Sequence, residues 1–276
     1  MAAGILFSTG GAAIKGTAMT ALQVAALRSG VAAVAVALLL PSARRGFGLP
    51  MVPAALAYAA TLVCFVVATK LTTAASAIFL QSTAPVWVLV LAPALLGEPI
   101  RRADLPYVGL AVVGLVLVFL GSRSPLATAP MPELGNAIAL ASGLFYALLM
   151  IFMRRLSRAS APGQDRTLAA MVLGNVIAFA ACLPLALPLE SATAQDAAAI
   201  VYLGAIQIGL AYWLFARGLR ALSALEVSLL VLIEPVLNPL WTWIVHDERP
   251  GSLALAGGAV MVIALAARAL LDRRST

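Results

Sequence analysis

The chain has 276 residues, 63% hydrophobic and 11% charged, where a soluble domain carries roughly 45–50% apolar and about 25% charged residues. With a mean hydropathy of +1.03, this excludes an ordinary cytosolic enzyme, a nucleic-acid-binding domain and a disordered chain. The net charge of +7 does not point to nucleic acid, because the positive residues stand at the ends of apolar runs.

The fold class expected is an all-α integral membrane protein. A hydrocarbon core of about 30 Å needs about 20 apolar residues per helix, and ten such runs are present: 2–19, 21–40, 51–69, 74–96, 105–121, 134–153, 167–187, 197–216, 224–245 and 252–271. The first run has no basic segment ahead of it, so it is expected to be a transmembrane helix rather than a signal peptide. Basic residues, Gly and Pro mark the breaks, as in Pro41-Ser42-Ala43-Arg44-Arg45-Gly46, Gly97-Glu98-Pro99 and the stretch from Arg154 to Arg166. The runs are continuous and lack the ten-residue alternation of barrel strands. Cys64 and Cys182 lie inside apolar runs and form no disulfide or zinc framework.

Placing the N-terminus in the cytoplasm puts Arg44, Arg45, Arg101, Arg102, Arg154, Arg155, Arg158, Arg166, Arg217, Arg220, Arg268, Arg273 and Arg274 on the inside, against Lys70, Arg123 and Arg249 outside. That asymmetry predicts an N-in, C-in orientation.

A shift of 150 residues lays spans 3–5 on spans 8–10 without a gap. Phe65 falls on Phe215, Pro85-Val86 on Pro235-Val236 and Glu98 on Glu248. The shared feature is a mid-helix Pro followed by a Glu in the next loop. Two five-helix units are expected, 1–122 and 123–276, forming one transport unit. An odd number of spans inverts the second unit, and inverted repeats mark secondary transporters with a site near the midplane. Pro85 and Pro235 interrupt corresponding helices, supported by Pro93 and Pro239, and are the candidate kink or gating positions. The alternative is a kink that only shapes packing.

At these residues the chain resembles the drug/metabolite transporter superfamily, specifically its EamA-type members. The likeness rests on Ile14-Lys15 late in span 1, Ala26-Leu27-Arg28 early in span 2, and the segments Ala84-Pro85…Gly97-Glu98 and Glu234-Pro235…Asp247-Glu248. Among members it is most similar to the YddG-like exporters of aromatic amino acids. The resemblance implies that helices 1, 3, 4, 6, 8 and 9 enclose a central cavity, with helices 5 and 10 stacked outside. Helix 6 departs from the pattern, having no counterpart of Lys15.

An ionisable residue inside a span is costly and usually functional. Glu234 is eleventh in span 9, and its repeat counterpart is Ala84. It reads either as a cavity carboxylate that meets a substrate ammonium or proton, or as a structural Glu that caps the kink or pairs with Lys15. Asn238 and Trp241 or Thr242 follow at helical spacing. Lys15, the candidate charge partner, can equally snorkel to the interface, as can Arg28. His246 reads as a solvated interface residue. Tyr58 and Tyr212 differ from the repeat offset by one helical turn and should occupy equivalent faces. Asn136, Gly143 and Tyr146 on helix 6, and Phe79, Gln81 and Trp87 on helix 4, complete the candidate lining. Such residues suit a ligand with an apolar ring and a polar head; the competing reading is lipid-interface or packing aromatics, above all for Trp87, Trp213 and Trp243.

The expected function is export of aromatic or other apolar amino acids, or related metabolites, across the bacterial inner membrane by alternating access. The same fold also serves cationic drugs or nucleotide sugars. A membrane-embedded enzyme is disfavoured: His246 has no nucleophile at a recognisable spacing and no H-E-x-x-H is present. The expected partners are a small-molecule substrate and the lipid bilayer, with no nucleic acid, no metal and no cofactor, and the transport unit is expected to be a monomer.

Overall fold

A computed structural model describes residues 2–97, 104–122, 126–159, 166–189, 192–218 and 233–272. The elements are α1 (Ala2–Ser8), α2 (Gly10–Lys15), α3 (Ala21–Leu39), α4 (Val52–Leu71), α5 (Ala74–Gln81), α6 (Ala84–Leu96), α7 (Leu105–Gly121), α8 (Pro132–Ala159), α9 (Thr167–Ala186), α10 (Ala194–Val201), a π-helical segment (Tyr202–Leu210), α11 (Ala211–Gly218), α12 (Ile233–His246) and α13 (Ser252–Asp272). Every regular element among the described residues is helical, apart from an isolated bridge between Leu126 and Ala129. Helices satisfy their backbone polar groups internally, which a bilayer demands. Among the described residues, six helical stretches are long and apolar enough to cross a membrane: Ala21–Leu39, Leu49–Leu71, Ala74–Leu96, Pro132–Ala159, Thr167–Ala186 and Ala194–Leu214. The protein is therefore a multi-pass membrane protein.

Small polar residues set several boundaries. Thr20, Thr73 and Thr193 each adopt an extended conformation, and each hydroxyl accepts a backbone N–H three residues on, from Gln23, Ser76 and Asp196. The first apolar run is shorter as a helix than the sequence suggests. It breaks at Thr9, whose hydroxyl turns back to the Leu6 carbonyl, and it ends at Lys15 rather than near residue 19.

The helix carrying Pro85 is interrupted between Gln81 and Ala84. Pro85 has no N–H to give the Gln81 carbonyl. Gly143 of α8 lies against this break: a Cβ there would stand 2.9 Å from the Leu80 carbonyl oxygen and 3.1 Å from that of Gln81. The opened backbone is thus covered by protein, as its cost in hydrocarbon requires. In the second half, Pro235 is buried in the first turn of α12 and Pro239 lies inside that helix, while Val231 falls outside the described residues. Glu98, the expected counterpart of Glu248, also lies outside them.

α4 packs against α8 and α9, α3 against α9 and the π segment, and α12 against α1 and α2. α7 and α13 pack on each other through glycine. A Cβ on Gly257 would sit 2.5 Å from the Gly114 carbonyl oxygen, and one on Gly114 would sit 2.6 Å from the Gly257 oxygen. Gly121 and Gly251 repeat this contact one end along, with 2.5 Å from a Gly251 Cβ to the Gly121 oxygen. Such backbone approach holds membrane helices together where no hydrophobic force acts between them. Their outer faces expose Leu110, Val113 and Val116 on α7 and Leu255 and Ile263 on α13, a surface suited to acyl chains and too apolar for water.

Gly114→Leu or Gly257→Leu should separate α7 from α13 and lower the melting temperature of the detergent-purified protein, at a cost of at least about 1–3 kcal/mol. Gly109→Leu is the control, since a Cβ there meets nothing within 4 Å; its melting temperature should match wild type.

Candidate functional site

Four aromatic rings from four helices meet in the interior. Tyr212 of α11 stacks edge-on against Phe7 of α1, with ring centroids 5.1 Å apart at 68°. It meets Tyr58 of α4 at 6.3 Å and 61°. Tyr146 of α8 joins the same cluster, with Leu149 and Phe152 beneath it. Edge-to-face geometry is the arrangement ring quadrupoles favour. Gly174 of α9 permits it: a Cβ there would stand 2.7 Å from Cδ1 of Tyr58, so the side chain of any larger residue would displace that ring. The π segment feeds directly into α11 and so sets the rotation at which Tyr212 faces inward. Stretches of this kind recur at functional sites. Its Gln207 donates to the Phe7 carbonyl at 3.2 Å and fixes α1 beside the cluster.

Two charges flank the rings. Glu234, at the start of α12, lies within electrostatic reach of Tyr146 and Tyr212 and makes no hydrogen bond or ion pair with a described residue. Arg28 of α3 is only 2% exposed and interacts electrostatically with Tyr58 and Tyr212. Its Nε has no hydrogen-bond partner. The Tyr58 hydroxyl faces Tyr212 and Asn175 without a hydrogen bond of normal geometry to either, and the Asn175 Oδ1 is likewise unsatisfied. Buried polar atoms are ordinarily paired. Among the described residues this centre therefore holds one cation, one anion and several unspent hydrogen-bonding groups around an aromatic wall.

Tyr58, Tyr146 and Tyr212 come together, with Glu234 within electrostatic reach of the last two. The other candidates make contacts elsewhere between helices. Phe79 is buried, its ring pressed on Gly258 of α13, where a Cβ would stand 2.3 Å from it; it joins helices rather than facing the tyrosines. Gln81 donates to the Ser142 hydroxyl at 2.8 Å, and Ser142 to the Thr61 carbonyl at 3.1 Å, so its amide ties α5 to α8 and α4. Asn136 accepts from the Thr72 hydroxyl at 2.7 Å. The Trp241 indole donates to the Ser8 hydroxyl at 2.9 Å and pins α12 to the break in the first helix. Asn238 is fully buried against Gly11, whose Cβ would stand 2.4 Å from its Oδ1. Its two amide atoms have no partner.

Lys15 requires a correction. It is neither a snorkelling residue nor the partner of Glu234. Its Nζ lies 2.7 Å from Oε2 of Glu248, with the two side chains 3% and 0% exposed. The same ammonium donates to the Thr72 carbonyl at 2.9 Å and to the Thr128 carbonyl. Glu248 Oε1 accepts the Ala74 N–H, 2.7 Å away at the start of α5. Asp247, at φ 49°, ends α12 in the left-handed region and turns the chain so that Glu248 points inward. Nearby, Lys70 donates to the carbonyl and hydroxyl of Thr17 at 2.7 and 2.9 Å, and Asp196 accepts the Ala18 N–H at 2.8 Å. One end of the helix bundle is thereby knotted shut. His246 is half-buried, its Nε2 2.8 Å from the Ala12 carbonyl oxygen, and so is held by protein rather than solvated.

Sequence reasoning passed over Phe7 and Asn175, and it read Arg28 as able to snorkel to the interface, where the structure buries it. Arg28 and Asn175 carried the signal that exposed Glu234, a lone polar residue inside an apolar run. Phe7 carried none. Among the described residues no group of three or more His, Cys, Asp or Glu side chains could hold a metal ion.

A family model described as the EamA-like transporter family matches residues 1–120 and 133–267. No curated protein matches the chain. A solved structure, titled only as the crystal structure of a protein, is similar at 24% identity and a TM-score of 0.63; the alignment covers 99% of this chain and 96% of that one. That likeness supports the fold alone.

Lys15→Met should destabilise the protein by about 3–5 kcal/mol, because it leaves the Glu248 carboxylate buried and uncompensated. The double variant Lys15→Met/Glu248→Gln should recover part of the loss in a thermal melt. A single variant that melts with wild type would show that the pair contributes nothing.

Proposed function

The chain belongs to the EamA-like transporter family, and on that premise we propose that it exports amino acids bearing aromatic or other apolar side chains, or closely related metabolites. Family membership makes it a membrane transporter of small molecules rather than an enzyme. The finer reading rests on one observation: the Glu234 carboxylate, without an ion-pair partner among the described residues, lies within electrostatic reach of Tyr146 and Tyr212. The tyrosine faces receive an apolar ring, and the carboxylate receives an ammonium group or a proton. A charge left unpaired in hydrocarbon is costly unless a ligand or water meets it.

We propose the ten-span plan, with two inverted five-helix halves and both termini inside, in a bacterial inner membrane. In that frame the Lys15–Glu248 knot lies at the external end. Glu98 is then its internal counterpart, and alternating access exchanges closure between the two ends. The break at Pro85 and its repeat position Pro235 are the hinges of that exchange. The transport unit is the monomer. A transporter of cationic compounds would use Glu234 in the same way, and the choice of substrate panel separates the two.

Counterflow in proteoliposomes with labelled L-phenylalanine, L-tryptophan and L-leucine, run with and without a pH gradient, should show exchange of at least one of them. Exchange of cationic dyes alone would replace the amino-acid reading with the cationic one. Glu234→Gln should cut that exchange about tenfold or more while leaving folded protein in the membrane, the loss expected for a charge-assisted hydrogen bond. With Cys64 and Cys182 removed, cysteine at position 58 or 212 should react with a water-soluble thiol reagent, and substrate should slow the reaction; if both sites are inert, the path does not pass the tyrosines.

A further inference from the structure

Arg28 is a buried charge without an ion-pair partner among the described residues. Its side chain is buried in α3, and no acidic residue among those described reaches it. An interior guanidinium is ordinarily held by a carboxylate, because its donors and its charge are both expensive to strand. Here the neighbours are the neutral phenols of Tyr58 and Tyr212. Arg28 Nε, Tyr58 Oη and Asn175 Oδ1, on α3, α4 and α9, are among the buried polar atoms without a hydrogen-bond partner. The three helices that carry them pack on one another. Close approaches hold the backbone here: a Cβ on Gly204 of the π segment would stand 2.7 Å from the Arg28 carbonyl oxygen, and one on Gly174 would stand 2.7 Å from Cδ1 of Tyr58.

We infer that Arg28, with the Tyr58 hydroxyl, is the seat of the carboxylate of the transported molecule. Arg28 Nε and Tyr58 Oη are donors, and a carboxylate is acceptor-only, with two oxygens to share between them. One guanidinium balances one negative charge. A phosphate dianion would leave charge uncompensated, which separates this seat from a site for phosphorylated sugars. Glu234 is not paired with Arg28 and lies toward Tyr146 and Tyr212. The two charges therefore hold opposite ends of a zwitterion across the aromatic wall and fix which way round it lies. This inference rests on the proposed function and narrows it: the substrate carries a carboxylate, and amines lacking one bind by the Glu234 end alone.

The test is thermal stabilisation of the full-length detergent-purified protein at constant ionic strength. The probes are L-phenylalanine, phenylacetate (no ammonium), phenethylamine (no carboxylate) and inorganic phosphate. Wild type should be stabilised by L-phenylalanine and by phenylacetate, and not by phosphate. Arg28→Gln should weaken the apparent affinity for both carboxylates at least tenfold while changing that for phenethylamine less than about twofold. Equal losses for phenethylamine, unchanged affinity for L-phenylalanine, stabilisation by phosphate in place of phenylacetate, or no response of wild type to any carboxylate would each overturn the assignment. Should Arg28→Gln not fold, Arg28→Lys serves. It keeps the charge and loses the planar fork, so it should weaken only the carboxylates; loss of all probes together, or of none, overturns the assignment equally. Binding that persists in a protein without counterflow would refute export while leaving the seat in place. Counterflow of L-phenylalanine that survives Arg28→Gln would refute the seat while leaving export in place.

Discussion

The ion pair between Lys15 and Glu248 is the constraint on which the arrangement of this molecule turns. Two opposite charges taken fully out of water are tolerated only where geometry and extra hydrogen bonds repay their desolvation. Here the remaining donors and acceptors are spent on the Thr72 and Thr128 carbonyls and on the Ala74 N–H. Four turns remote in sequence are thus fixed to one point: the end of α2, the turn before α5, the turn before α8 and the turn before α13. Separating the pair would leave a charge buried and uncompensated, so the segments it joins are held firmly together.

Around this point, close backbone approach does the work that hydrophobic burial does in water. Gly114 against Gly257 and Gly121 against Gly251 hold α7 to α13, and Gly143 covers the backbone opened at Pro85. The two kinds of contact divide the molecule. Glycine contacts are rigid and indifferent to charge. The interior between α1, α3, α4, α8, α9, α11 and α12 leaves several polar atoms unspent. Arg28, Glu234, Tyr58 and Asn175 cost stability there, and groups that cost stability without a structural return are characteristic of binding sites.

The sequence by itself determined the class of the protein and most of its helices. Apolar runs near bilayer length admit little else, and a polar residue inside such a run, as at Glu234, announces itself by its cost. It placed Tyr58 and Tyr212 on defined faces of their own helices, because helical spacing within each run is a local property; that the two rings meet was decided by packing. Partners across helices were decided only in three dimensions. Lys15 joins Glu248 rather than Glu234, Phe79 meets Gly258, and Gln81 is spent on Ser142, since each depends on which helices lie side by side and at what rotation. Arg28 shows the division most plainly. Its presence in an apolar run was legible from the sequence, but which described side chains stand opposite it was a question of packing, and packing set two tyrosines there.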